Sequence, residues 1–145
     1  MRWRQSLGKP VIDRSTGETI GEVTTLIANA ESRRMRGVVV DERIVPWATT
    51  RGIGHDAVTV PTADSLVEPS GGYEERIVEG DLDPLGRAVY TEEGFALGSL
   101  TDVDFDADSG EIRRLVLADD DLAGSRLLGI GTFAIVVRSH DRGSG

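Results

Sequence analysis

Two glycine-containing runs, Gly52-Ile53-Gly54-His55-Asp56-Ala57 and Gly129-Ile130-Gly131-Thr132-Phe133-Ala134, fit the spacing G-x-G-x-x-A. In a dinucleotide site that spacing lets backbone N–H groups approach a pyrophosphate at the start of a helix. Here each run leads instead into an alternating apolar stretch, Val58-Thr59-Val60 or Ile135-Val136-Val137. The glycines are therefore expected to make a positive-φ turn at a barrel corner, and no cofactor is expected. Asp102, Asp104, Asp106 and Asp108 resemble the start of a calcium loop. Such a loop wants Gly at its sixth position and Glu at its twelfth, where counting from Asp102 finds Ala107 and Arg113. Alternation with Val103 and Phe105 reads better as a strand with acids outward, near Arg113 and Arg114 across a hairpin. His55 and His140 stand without a matching Ser–Asp set, so no catalytic and no metal-ligating residue is assigned, and the chain reads as a non-enzyme. Arg2-Trp3-Arg4 with Lys9, and Arg33-Arg34-Met35-Arg36, make the first part of the chain basic. Arginine and tryptophan are favoured at interfaces, so Arg2, Trp3, Arg33, Arg34 and Arg36 are the candidate partner-binding residues. Trp47, behind Pro46, reads as a packing anchor.

The elements that must position these residues repeat. Leu7-Gly8-Lys9-Pro10-Val11 recurs as Leu85-Gly86-Arg87-Ala88-Val89, and from Gly17 to Val60 the offset is a constant 77. Matched identities include Gly17/Gly94, Gly21/Gly98, Thr24/Thr101, Ser32/Ser109, Arg36/Arg113, Val39/Val116, Gly54/Gly131 and Val60/Val137. The chain is a tandem duplication. Each copy reads as short strands around a hairpin turn, at Asn29-Ala30-Glu31-Ser32 or Asp108-Ser109-Gly110-Glu111. A single helical turn is predicted near residues 47–51 and 123–127. Five or six short strands in so few residues need closure to hide their edges, so the fold class is all-β, two tandem small barrels packed as a pseudo-dimer.

With 145 residues, 39% of them hydrophobic, the chain has room for a core, and no apolar run approaches a membrane span. The net charge of −9 argues against a general nucleic-acid or anionic-membrane binder, and the lack of cysteine excludes disulfides and thiolate sites. Residues 1–61 sum to +2, 62–84 to −6 and 85–145 to −5. The middle segment, with Pro69-Ser70-Gly71-Gly72 and five acids from Glu74 to Asp83, is expected to be a solvated acidic linker between copies at 1–61 and 85–138, with a tail at 139–145.

The order Leu-Gly, a turn ending in Gly, hydrophobic-Gly-x-hydrophobic, a hairpin, and Gly-Ile-Gly-x-x-Ala before a closing strand resembles the PRC-barrel, named for the reaction-centre H subunit. A related barrel occurs in the ribosome-maturation factor RimM. The first copy carries the resemblance through Leu7-Gly8, Gly17, Ile20-Gly21-Glu22-Val23, Val38 to Val40 and Gly52 to Ala57. The second carries it through Leu85-Gly86, Leu97-Gly98-Ser99-Leu100, Leu115 to Leu117 and Gly129 to Ala134. The second copy has Ala123-Gly124 where the first has Pro46-Trp47. The composition and the lack of an apolar span or leader point to a cytoplasmic protein without membrane insertion. Together with the missing catalytic set, the resemblance implies a non-catalytic adaptor that recruits a protein partner, and a homo-oligomer is a further partner expectation. An RNA- or ribosome-associated factor is the alternative, and a metal-binding protein the second alternative.

Overall fold

The computed structural model describes residues 1–50 and 53–140. The first copy comprises α1 (Trp3–Ser6), β1 (Pro10–Asp13), β2 (Thr19–Asn29), β3 (Arg34–Val40), β4 (Arg43–Pro46) and β5 (Val58–Val60). After α2 (Gly71–Val78), the second comprises β6 (Ala88–Thr91), β7 (Ala96–Phe105), β8 (Ile112–Leu117), β9 (Asp121–Ala123), β10 (Leu127–Ile130) and β11 (Ala134–Val137). A 3-10 turn follows β4 at Trp47–Thr49 and β9 at Gly124–Arg126, within the spans predicted for single helical turns; Arg51 lies outside the described residues.

The first sheet runs β4-β3-β2-β1-β5 and the second β10-β11-β6-β7-β8-β9. In each, the closing strand lies parallel to the opening one, β5 beside β1 and β11 beside β6. The long strands β2 and β7 each serve two neighbours, and their ladders slip at matching places: Val23/Thr25 and Ile27/Ala28 in one, Leu100/Asp102 and Asp104/Phe105 in the other. A slip of this kind bends a strand and tightens its twist, which is how so short a sheet curls into a barrel. The two barrels share one core. Trp3, Val11, Leu26, Val38, Val45 and Trp47 belong to the same buried cluster as Leu100, Val103, Phe105, Leu115, Leu127 and Ile135.

The hairpin turns show why the duplicated sequence folds alike. Asn29 Oδ1 accepts the Ser32 N–H at 2.8 Å, and Asp106 Oδ1 accepts the Ser109 N–H at 2.8 Å. Asn and Asp both offer the short acceptor such a turn needs, so the change of residue leaves the turn unchanged.

Residues 62–84 depart from the solvated linker expected of them. Val67 bridges to Ile44, exchanging both backbone hydrogen bonds at 2.8 Å, and Leu66 packs against the core. Helix α2 then buries Ile77 against Ile27, Val39 and Ile44 on the outer face of the first sheet. An eight-residue helix has little stability of its own, so that packing is what forms it.

Candidate interaction site

The copies meet on a pseudo-two-fold axis. Arg34 bridges to Glu111, its own counterpart at an offset of 77. Around that pair Met35 N–H donates to the Gly110 carbonyl at 2.7 Å, and Ile112 N–H donates to the Arg33 carbonyl at 2.9 Å, each bond the image of the other. A seam of this kind is isologous, like that of a symmetric dimer.

Side chains depart from the symmetry in a complementary way. The Trp47 indole donates to the Asp108 carbonyl at 3.1 Å and meets Phe105 edge-on with centroids 5.9 Å apart. It lies over Gly110, whose φ of +80° suits glycine and where an added Cβ would sit 3.0 Å from the indole nitrogen. On the image side the large residue is on the hairpin. Arg33, the counterpart of Gly110, holds φ +56° and donates from Nε to the Leu127 carbonyl at 2.8 Å. Gly124, the counterpart of Trp47, closes onto the Ile112 carbonyl, 2.0 Å from where a Cβ would be.

This placement sorts the candidate partner-binding residues. Trp3 is corrected: it is 1% exposed, because α1 turns its ring into the shared core, so it offers no surface to a partner. Arg33 is half-buried and spends its guanidinium on Leu127. Arg34 and Arg36 stay exposed on β3 on either side of buried Met35, beside a shallow hollow with Asn29, Glu31 and Ser32. Arg2 is exposed too, but lies along β7, bridged to Asp104. Only Arg34 and Arg36 are thus brought side by side. Lys9 is structural: its ammonium donates to the His55 carbonyl, as the Arg87 guanidinium donates to Thr132 in the second copy. A cation at this position fastens the barrel corner in both copies.

The remaining chemistry-capable groups hold the fold. Asp102 accepts the Arg4 N–H at 3.1 Å, and Asp104 lies 3.5 Å from the N-terminal amine. Asp106 accepts from the Ser109 and Asp108 amides and pairs with Arg113 at 2.7 Å; the two amides, with that guanidinium behind them, hold its carboxyl below the usual range. Asp13 is held low chiefly by the Ser15 hydroxyl, then by the Ser15, Ala63 and Thr16 amides. Both carboxyls are tuned toward the charged state, the reverse of a general acid. Among the described residues no group of three or more His, Asp or Glu is placed to hold a metal ion. The run from Gly129 forms a hairpin, with Gly131 N–H donating to Ala134 at 3.0 Å, and Gly54 donates likewise to Ala57. The expected positive φ is corrected: Gly54, Gly129 and Gly131 all lack it, and Gly54 is required because a Cβ would stand 2.9 Å from the Ala57 carbonyl. Gly52 lies outside the described residues. His55 is exposed, with Nδ1 3.2 Å from Asp56.

Among the described residues no helix is long and apolar enough to cross a membrane. A family model of the PRC-barrel domain matches residues 1–67 and again residues 78–142. No curated protein matches the sequence.

Proposed function

The chain belongs to the PRC-barrel family in two tandem copies, and from that premise we propose that it is a non-catalytic adaptor in the cytoplasm that recruits a protein partner. PRC-barrel domains are in general non-catalytic and often mediate interactions. One observation carries the reading: the interior is spent on joining the copies, while their outer surfaces differ in charge and cover. The apolar gap at the centre of the second barrel, lined by Trp3, Leu100, Val103 and Ile135 among others, holds about 10 Å³, room for one water at most and none for a substrate. Exposed Arg34 and Arg36, with Arg2 farther along the surface, are the contact residues proposed for the first copy.

The test is purification of the tagged chain from its native cell, with and without nuclease, against an Arg34→Glu/Arg36→Glu variant. Recovery of a stoichiometric protein that survives nuclease and is lost from the variant supports the adaptor. Recovery only of RNA-bound material, released by nuclease and falling steeply with salt, overturns it in favour of the ribosome-associated reading.

A further inference from the structure

The two barrels treat one sheet edge differently. In the first copy β4 is an edge strand, and the chain covers it with its own residues. Ile44 and Val67 exchange two backbone hydrogen bonds of 2.8 Å, Leu66 shares a hollow with Ile20 and Val40, and Arg43 pairs with Glu68 at 3.4 Å. In the second copy the same edge is β9, and the Val39–Ile44 register recurs as Val116–Asp121. Asp121 thus turns its N–H and C=O outward as Ile44 does, yet among the described residues no strand pairs with it. Among those residues its amide is met only by the neighbouring Asp120 carboxylate, at 2.8 Å. Leu97, the counterpart of partly buried Ile20, is 38% exposed. Extended past Val60, the offset of 77 would set Leu66 and Val67 against Gly143 and Ser144, which carry no apolar side chain and lie outside the described residues.

We infer that the β9 edge is a docking site for an extended partner segment, which adds a strand there as residues 66–68 do on β4. Backbone pairing at an open edge supplies affinity, and the side chains beside it supply selection. Charge fixes what is selected. Where the first copy has Arg43 opposite Glu68, the second has Asp120, flanked by Asp119 and by Asp121, whose carboxylate lies 3.7 Å from the Arg114 guanidinium. The segment that fits is two apolar residues followed by lysine or arginine; when its strand takes the Asp121 amide, the Asp120 carboxylate is released to meet that cation. This rests on the adaptor reading and names the chemistry of its partner.

The internal template supplies the probe. A peptide copying residues 62–70 with Glu68→Lys is titrated into the ¹⁵N-labelled full chain, in parallel with the unaltered peptide. Amide shifts are expected at Asp121 to Ala123 and at Leu97, with the lysine peptide binding about threefold tighter, the scale of one exposed ion pair. Asp120→Arg, an exposed turn position whose folded spectrum is its own control, is expected to reverse that order. No shift at β9 with millimolar peptide, shifts at Ile44 instead, or an unchanged order in the variant would overturn the inference. Each of these leaves the purification result untouched, so failure of the edge site is distinguishable from failure of the adaptor reading.

Discussion

The outer faces of the two sheets share a backbone and differ in what lies against them. In the first sheet, Thr25, Leu26, Ile27 and Ala28 are all buried, as are Val38, Val39 and Val40. Their inward members meet the shared core, and Ile27, Val39 and Ile44 meet α2. In the second sheet, Val103, Phe105, Leu115 and Leu117 face the shared core while Asp102, Asp104 and Val116 between them are half-buried. Strands covered on both faces read as continuous apolar runs, and strands covered on one face alternate. The barrel therefore does not decide what binds its outside. One copy carries an apolar face and an edge with a built-in cover, and the other carries charge and an edge on which, among the described residues, no strand lies.

The sharpest way to break this comparison is to impose one copy's residue on the other. Gly124→Trp gives the second copy the first copy's anchor, but the Ile112 carbonyl fills the space a Cβ needs. The expected loss is above about 4 kcal/mol, enough to leave the chain unfolded by circular dichroism. Trp47→Ala empties the larger side of the seam and orphans the Asp108 carbonyl, for an expected loss of about 3–5 kcal/mol in urea unfolding. Because both barrels share that core, the variant should still unfold in one transition; two separate transitions would show that the copies fold independently.

A smaller effect sharpens the contrast between faces. Ile77→Ala removes the residue through which α2 grips Ile27, Val39 and Ile44, and is expected to cost about 2 kcal/mol. It should speed amide exchange at Ile44 and leave β9 unchanged.

The smallest effect distinguishes the hairpin turns by pH. Asp106 titrates below its ordinary value of 3.8 in the folded chain. The stability it contributes is present above that value and is lost as pH falls through its lowered one. Asn29 makes the same turn without a charge. Asp106→Asn should therefore flatten the acid limb of the melting-temperature profile, with Asp13 supplying the slope that remains.

Much of the barrel is legible in the residues because the duplication repeats turn chemistry and strand spacing together. Asn29/Asp106, Ser32/Ser109 and the offset of 77 are enough to locate both hairpins. The cover on the first copy is not legible in the same way. Gly71-Gly72 and Gly80 bracket a stretch too short to hold a helix unaided, and the acids around Ile77 read as a solvated face. The signal lies elsewhere, in the unbroken Val38-Val39-Val40 run, whose outward member Val39 needs something to bury it. Trp3 misleads for the same reason: arginines on both sides suggest a surface, but one helical turn directs the ring inward and the guanidinium groups outward. Lys9 counts in sequence as one more positive charge, and only the fold shows it bound to a carbonyl 46 residues away.

The comparison comes down to two amides at matching positions. Hydrogen exchange of the isolated chain reads both at once: Ile44, which donates to Val67 beneath α2, and Asp121, which among the described residues donates only to its neighbour's carboxylate. Exchange at Ile44 is expected to be slower by at least about tenfold after correction for intrinsic rates, as an edge with a strand on it differs from one without. Equal protection at the two positions would contradict the account, since it would mean that the second edge is closed as well.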